Sequence, residues 1–126
     1  MAITQINISS PANEIIFTDT AIGNAVDAVK ASSARLFWLT VDNTLNAASS
    51  YLKLWNVASG STTVGTTAPD MVIYCPASVI TTVYFGTGSA PGVTFATALT
   101  AACVTTGGTA GNSSPSSNVT ATLSYV

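Results

Sequence analysis

The side chains suited to acid–base, nucleophilic or metal chemistry are few: carboxylates at Glu14, Asp19, Asp27, Asp42 and Asp70, and thiols at Cys75 and Cys103. Histidine is absent, which removes the commonest general base and the commonest metal ligand. A Ser–His–Asp or Cys–His relay is therefore impossible, and two distant cysteines do not make a zinc site of the usual kind. A glycosidase would need two carboxylates facing one cleft, but each carboxylate here has a simpler use. Asp42 and Asn43 stand at a strand end, where Asx side chains hydrogen-bond turn backbone. Asp70 follows Pro69 in a turn, and Asp19 and Asp27 border a segment they could cap. A calcium site would draw on the same groups, without an Asp-x-Asp-x-Asp run to support it. Of a disulfide and a pair of buried thiols acting as small hydrophobes, the thiols are favoured. No catalytic residue, metal or cofactor is expected, and the chain reads as a non-enzyme.

Other motifs reduce to structure as well. "GTGSAPG", Gly86–Gly92, lacks the lysine of a P-loop and the third glycine of a dinucleotide fingerprint, so it reads as a hairpin-end turn. Asn7, Asn112 and Asn118 head glycosylation sequons, which count as chance matches without a secretory leader. The tryptophans divide. Trp38 lies in the most apolar run and reads as core, whereas Trp55 shares a face with Tyr51 and Lys53 and is the candidate surface contact.

The elements that would position these residues are strands. "EIIFT", "ARLFWLTVDN", "YLKLWNV", "DMVIYC", "VITTVYF" and "VTATLSYV" are short, apolar or alternating, and separated by Gly, Pro, Ser and Asn clusters. In "ARLFWLTVDN", strict alternation sets Leu36, Trp38 and Thr40 against Phe37, Leu39 and Val41, a strand buried on both sides. In "YLKLWNV", Leu52 and Leu54 face the core, and Lys53 points to solvent or a neighbour. "TAIGNAVDAVKA" spaces Ile22, Val26 and Val29 so that a short helix is an alternative there; "TFATALTAAC" is the other Ala-rich candidate. "ITQINI" sets Ile3, Gln5 and Asn7 against Thr4, Ile6 and Ile8 ahead of Pro11, as an arm or edge strand over residues 1–22 before a domain at 23–126. About eight strands with polar turns predict an all-β fold, a single antiparallel β-sandwich, jelly-roll-like, with little helix.

Composition limits the partners. The chain has 126 residues, one domain's worth. Hydrophobic residues make up 48% and charged residues 6%, with a net charge of −2; an ordinary domain carries about 25% charged residues. Such a surface has little colloidal repulsion and suits a chain covered by partners or copies of itself. Lys30, Arg35 and Lys53 are scattered, so no basic stripe addresses nucleic acid. No long apolar stretch would span a membrane, and the N-terminus lacks the pattern of a signal peptide, so a cytosolic origin is expected.

Residues Arg35–Ala77, "RLFWLTVDNTLNAASSYLKLWNVASGSTTVGTTAPDMVIYCPA", with "GVTFATALTAACVTTG" at Gly92–Gly107, resemble a group of small structural proteins of tailed bacteriophages. The carrying features are Asn43, "YLKLWN" at Tyr51–Asn56, "VGTTAP" at Val64–Pro69 and an apolar strand closed by Pro76. The resemblance runs over roughly residues 30–126. It implies a cement or decoration protein of the cyanophage-type virion, a β-sandwich on the capsid exterior, made in the host cytoplasm. It implies the major capsid protein and the chain itself, as a homotrimer, for partners. A carbohydrate- or receptor-binding module of a head or tail appendage is the alternative. Expected interface residues are Tyr51, Lys53 and Trp55, the arm residues Ile3, Ile6 and Ile8, and Gly107, Gly108 and Asn112. These last three lie in a polar loop, Thr105–Asn118, which has too few apolar groups to pack itself and so would be held by a partner.

Overall fold

The computed structural model describes residues 14–86 and 92–126. The chain runs through β1 (Ile15–Asp19), β2 (Asp27–Lys30), β3 (Ala34–Asp42), β4 (Ser50–Trp55), β5 (Met71–Cys75), β6 (Ile80–Tyr84), β7 (Val93–Phe95), β8 (Leu99–Val104) and β9 (Thr120–Tyr125). One 3-10 turn, Ser59–Ser61, interrupts the β4–β5 connection. The segment considered for a helix forms a turn and β2, and the second Ala-rich segment forms β7 and β8. β-Branched Val and Thr favour extended chain, and the pairing of β8 with both β2 and β4 decides the matter.

Two antiparallel sheets pack face to face. The first has the order β1-β9-β3-β6, with β7 pairing β3 beyond the end of β6; the second has the order β2-β8-β4-β5. The ladders β4·β5, β3·β6, β2·β8 and β1·β9 are nested in sequence, each enclosing the one before. The chain is thus one long antiparallel ribbon. It closes on itself through β3·β9 and β4·β8.

The core lies between the sheets. The first contributes Leu36, Leu39, Val41, Ala121, Leu123 and Tyr125, and the second contributes Val29, Leu52, Leu54, Leu99, Ala101 and Cys103. On β4 the apolar pair Leu52 and Leu54 points inward as the alternation predicts. Cys75 and Cys103 are both free and buried in this core, and burial pushes their thiols up to about 11 and about 12. They are inert packing groups.

Strict alternation fails in β3. Leu36 pairs with Tyr125, but Trp38 pairs with Ser124, so Phe37 is an extra residue opposite β9. This β-bulge shifts the side-chain phase by one. Ala34 and Leu36 face the core before it, Leu39 and Val41 after it, and Trp38, Thr40 and Asp42 turn outward. The Phe37 carbonyl accepts from the amides of Phe85 (2.7 Å) and Gly86 (3.1 Å). The expectation that Trp38 is fully buried is corrected accordingly: it is half-buried on the outside of the first sheet, while Trp55 is fully buried.

Candidate functional site: the two outer faces

The outside of the second sheet is built from Tyr51, Lys53 and Trp55 of β4 and from Val104, Ala102 and Thr100 of β8, paired in that order. Of these six all but Tyr51 are buried, because the chain's own loops lie over them, while β5 at the edge of the same face leaves Val72 and Tyr74 exposed. The 56–70 connection covers Trp55, whose indole N–H donates to the Thr67 carbonyl (3.0 Å). The Thr105–Asn118 loop covers Lys53. The Lys53 Nζ donates to the carbonyls of Gly108 (2.5 Å) and Gly111 (2.8 Å), and burial lowers its pKa. Gly107 lies against the Tyr51 ring, where an added Cβ would come within 2.8 Å of ring carbons. The Asn112 carbonyl accepts from the Asn24 side chain (2.8 Å), and the Ser114 hydroxyl accepts from the Asn24 amide (2.9 Å).

Of the residues expected at an interface, Tyr51 therefore meets Gly107 and Lys53 meets Gly108 within one chain, while Trp55 is held by Thr67 and Asn112 by Asn24. Lys53 and Trp55 have no exposed surface to offer a partner, which corrects the expectation that Lys53 points to solvent or to a neighbour. The reason is polar. The loop cannot pack by hydrophobic contact, but its carbonyls satisfy a buried ammonium that would otherwise be costly. Ile3, Ile6 and Ile8 lie outside the described residues.

A buried amide, Asn43, organises one end of the sandwich. Its Nδ2 donates to the carbonyls of Ala48, Cys75 and Pro76, and its Oδ1 accepts from Asn46 and Ser50. Asn46 in turn bonds Ser116 and Ser117, so the same hub anchors the far end of the Thr105–Asn118 loop. The carboxylates keep to structural work. Asp42 accepts from the Thr44 hydroxyl and amide, which hold it below the usual carboxylate range. Asp70 accepts from the Asn56 amide, and Asp19 from the Ala21 amide. Among the described residues no group of three or more Cys, Asp or Glu side chains converges as a metal site would require.

The outside of the first sheet is different. Its register aligns Ile16, Ser124, Trp38 and Tyr84 in one rank across four strands, and Thr18, Thr122, Thr40 and Thr82 in the next. Thr120, Asp42 and Ile80 follow. Tyr84 is 70% exposed, Ile80 59% and Ile16 51%. No described loop covers this face. It presents small hydroxyls, with large apolar groups at its margins and little charge beyond Asp42, and Glu14 accepts from the Ser124 hydroxyl. Sequence reasoning passed over these residues because the bulge hides Trp38's direction. The signal was available in "VITTVYF" and "VTATLSYV", whose alternate positions are Thr, Ser and Tyr.

The chain matches no protein-family model, and no curated protein or solved structure resembles it significantly.

Proposed function

We propose that this chain is a structural protein of a tailed-bacteriophage virion, a cement protein that binds the outer capsid surface against the major capsid protein and itself as a homotrimer. The observation that carries the reading is the outer face of the first sheet, which no loop covers among the described residues. Large apolar groups at 51–70% exposure on a two-layer domain mark an interaction surface, and flat ranks of Thr and Ser lose little rotamer entropy on contact. The β6 margin of that face, "ITTVY", carries neither a charged residue nor a proline to discourage pairing. Repetition over a shell would add many modest contacts into firm attachment. The resemblance of Tyr51–Asn56, Val64–Pro69 and Gly92–Gly107 to phage structural proteins supports the lineage. The nested ribbon, folded so that β9 meets β3 and β8 meets β4, supports the jelly-roll form of the sandwich.

The test is Ile80→Lys with Tyr84→Lys. The doubly substituted chain is expected to keep its fold by circular dichroism, and to lose both self-association in analytical ultracentrifugation and co-sedimentation with capsids. A variant that still binds particles and still forms the same oligomer would overturn the reading. One observation favours the alternative of a carbohydrate-binding module: Trp38 and Tyr84 are direct cross-strand neighbours, and paired aromatics can stack a sugar ring. Glycan binding abolished by Tyr84→Ala, without any particle binding, would favour that module.

A further inference from the structure

Lys53 is spent inside the fold, which leaves Lys30 and Arg35 as the chain's other side-chain cations. Both line the same depression, of about 440 Å³, with Ser33, Ala34, Thr94 and Val126. It sits where the β2–β3 connection crosses from one sheet to the other. Its walls are fixed by backbone: Arg35 and Val126 exchange N–H···O bonds of 3.0 and 3.1 Å, and Arg35 pairs with Thr94. Gly92, at φ +61°, lies so close that a Cβ would meet the Leu36 carbonyl at 2.6 Å and the Arg35 stem at 3.3 Å. Among the described residues neither cationic head group has a hydrogen-bond or ion-pair partner. Two unpaired cations beside two hydroxyls form a receptor for anionic oxygen, the guanidinium as a fork and the ammonium as a point charge.

We infer that this depression is a docking point for carboxylate side chains of an acidic polypeptide segment on a partner. The depression lacks aromatic lining, so it offers nothing for a sugar ring to stack on. Arg35 and Thr94 continue the ranks of the first sheet's outer face beyond the bulge, which makes Arg35 one end of the proposed contact surface, with Lys30 of the second sheet lining the same depression. The inference rests on the assembly reading only in taking a polypeptide as the source of the carboxylates. A charged anchor at one end of a nearly neutral face fixes orientation more than it adds affinity.

The experiment is a titration of the isotope-labelled full chain, followed by amide chemical shifts, with a capped hexaglutamate peptide. Capped hexaglutamine and inorganic phosphate at matched ionic strength are the controls. Hexaglutamate is expected to move the amides of Lys30, Ser33, Arg35, Thr94 and Val126, and hexaglutamine to move none of them. The Lys30→Gln, Arg35→Gln double variant, whose own spectrum verifies its fold, should bind at least tenfold more weakly. Hexaglutamate shifts equal in both proteins, no shifts at millimolar peptide, or phosphate saturating the same amides at lower concentration than the peptide would each overturn the assignment. Failure here with particle binding intact removes the anchor and leaves the assembly reading standing. Peptide binding with no particle binding does the reverse.

Discussion

At the scale of single residues, the informative groups are those whose environment opposes their chemistry. Asp27 is one. Burial first, and the neighbouring Asp19 carboxyl second, push it up from 3.8 to about 6. Its Oδ2 is buried without a hydrogen-bond partner, so the protonated form, able to donate to Asp19, suits the site. A carboxyl raised in the folded state contributes stability that is complete below its unfolded value and is lost as pH rises through about 6. Asp27→Asn should therefore leave stability unchanged near pH 4. It should raise it by about 1 kcal/mol at pH 8, a figure reduced for the group's partial exposure. Urea melts of both proteins across that range check it, and a variant equally or less stable at pH 8 would refute it. The tryptophans make a second pair. Iodide should quench Trp38 and leave Trp55 dark to it. Trp55→Ala should cost about 3–5 kcal/mol as a fully buried side chain, and Trp38→Ala about 1–2 kcal/mol for the apolar area it covers. Equal quenching of the two, read in single-tryptophan variants, would contradict the bulge-shifted phase.

At the scale of elements, most of the sandwich was legible and its covering was not. The strands β3, β4, β5, β6 and β9 follow from period-two runs between turn residues, and the inward direction of Leu52 and Leu54 follows from β4's pattern alone. β2 and β8 were obscured because Ala-rich segments carry no period strong enough to separate helix from strand. The direction of Trp38 was not legible at all. One extra residue, Phe37, reverses the phase of everything after it, and bulges leave no compositional mark when the inserted residue is itself apolar. For the candidate site, sequence grouped Tyr51, Lys53 and Trp55 on one face correctly. It could not show that Thr105–Asn118 returns over that face, because the attachment runs through backbone carbonyls, which every residue has. That attachment is testable. Lys53→Met keeps the length of the side chain and removes the donor to Gly108 and Gly111. Amide hydrogen exchange in Thr105–Asn118 should rise at least tenfold while β4 and β8 keep their protection. Global stability should move by no more than about 1–2 kcal/mol, because the substitution also relieves a buried charge. Unchanged exchange in the loop would mean that Asn43, Asn46 and Asn24 hold it without the lysine.

At the scale of the whole molecule, the two sheets have opposite relations to their surroundings. One is sealed by the core on one side and, over β4 and β8, by the chain's own polar loops on the other, leaving Val72 and Tyr74 of β5 exposed at its edge. The other is sealed by the core alone among the described residues. This asymmetry reconciles a composition of 48% hydrophobic and 6% charged residues with a domain of ordinary size. Loops and core bury Lys53, and the largest exposed apolar groups on the first sheet, Ile16, Ile80 and Tyr84, share its outer face.

The nested ribbon has a mechanical consequence. Ile15 at the start of β1 and Tyr125 at the end of β9 are directly opposite in the outermost antiparallel ladder, so tension applied through these two points would part that ladder one hydrogen bond at a time. Tension between Asp42 and Tyr125, at opposite ends of the paired strands β3 and β9, would load the whole ladder in shear. Force spectroscopy with handles at the first pair should record a much lower rupture force than with handles at the second; equal forces would show that the face-to-face packing, and not the ladder, bears the load. A protein of this build resists strain delivered across its broad sides and yields to strain delivered along its tails. Anything it holds together would be held by its faces.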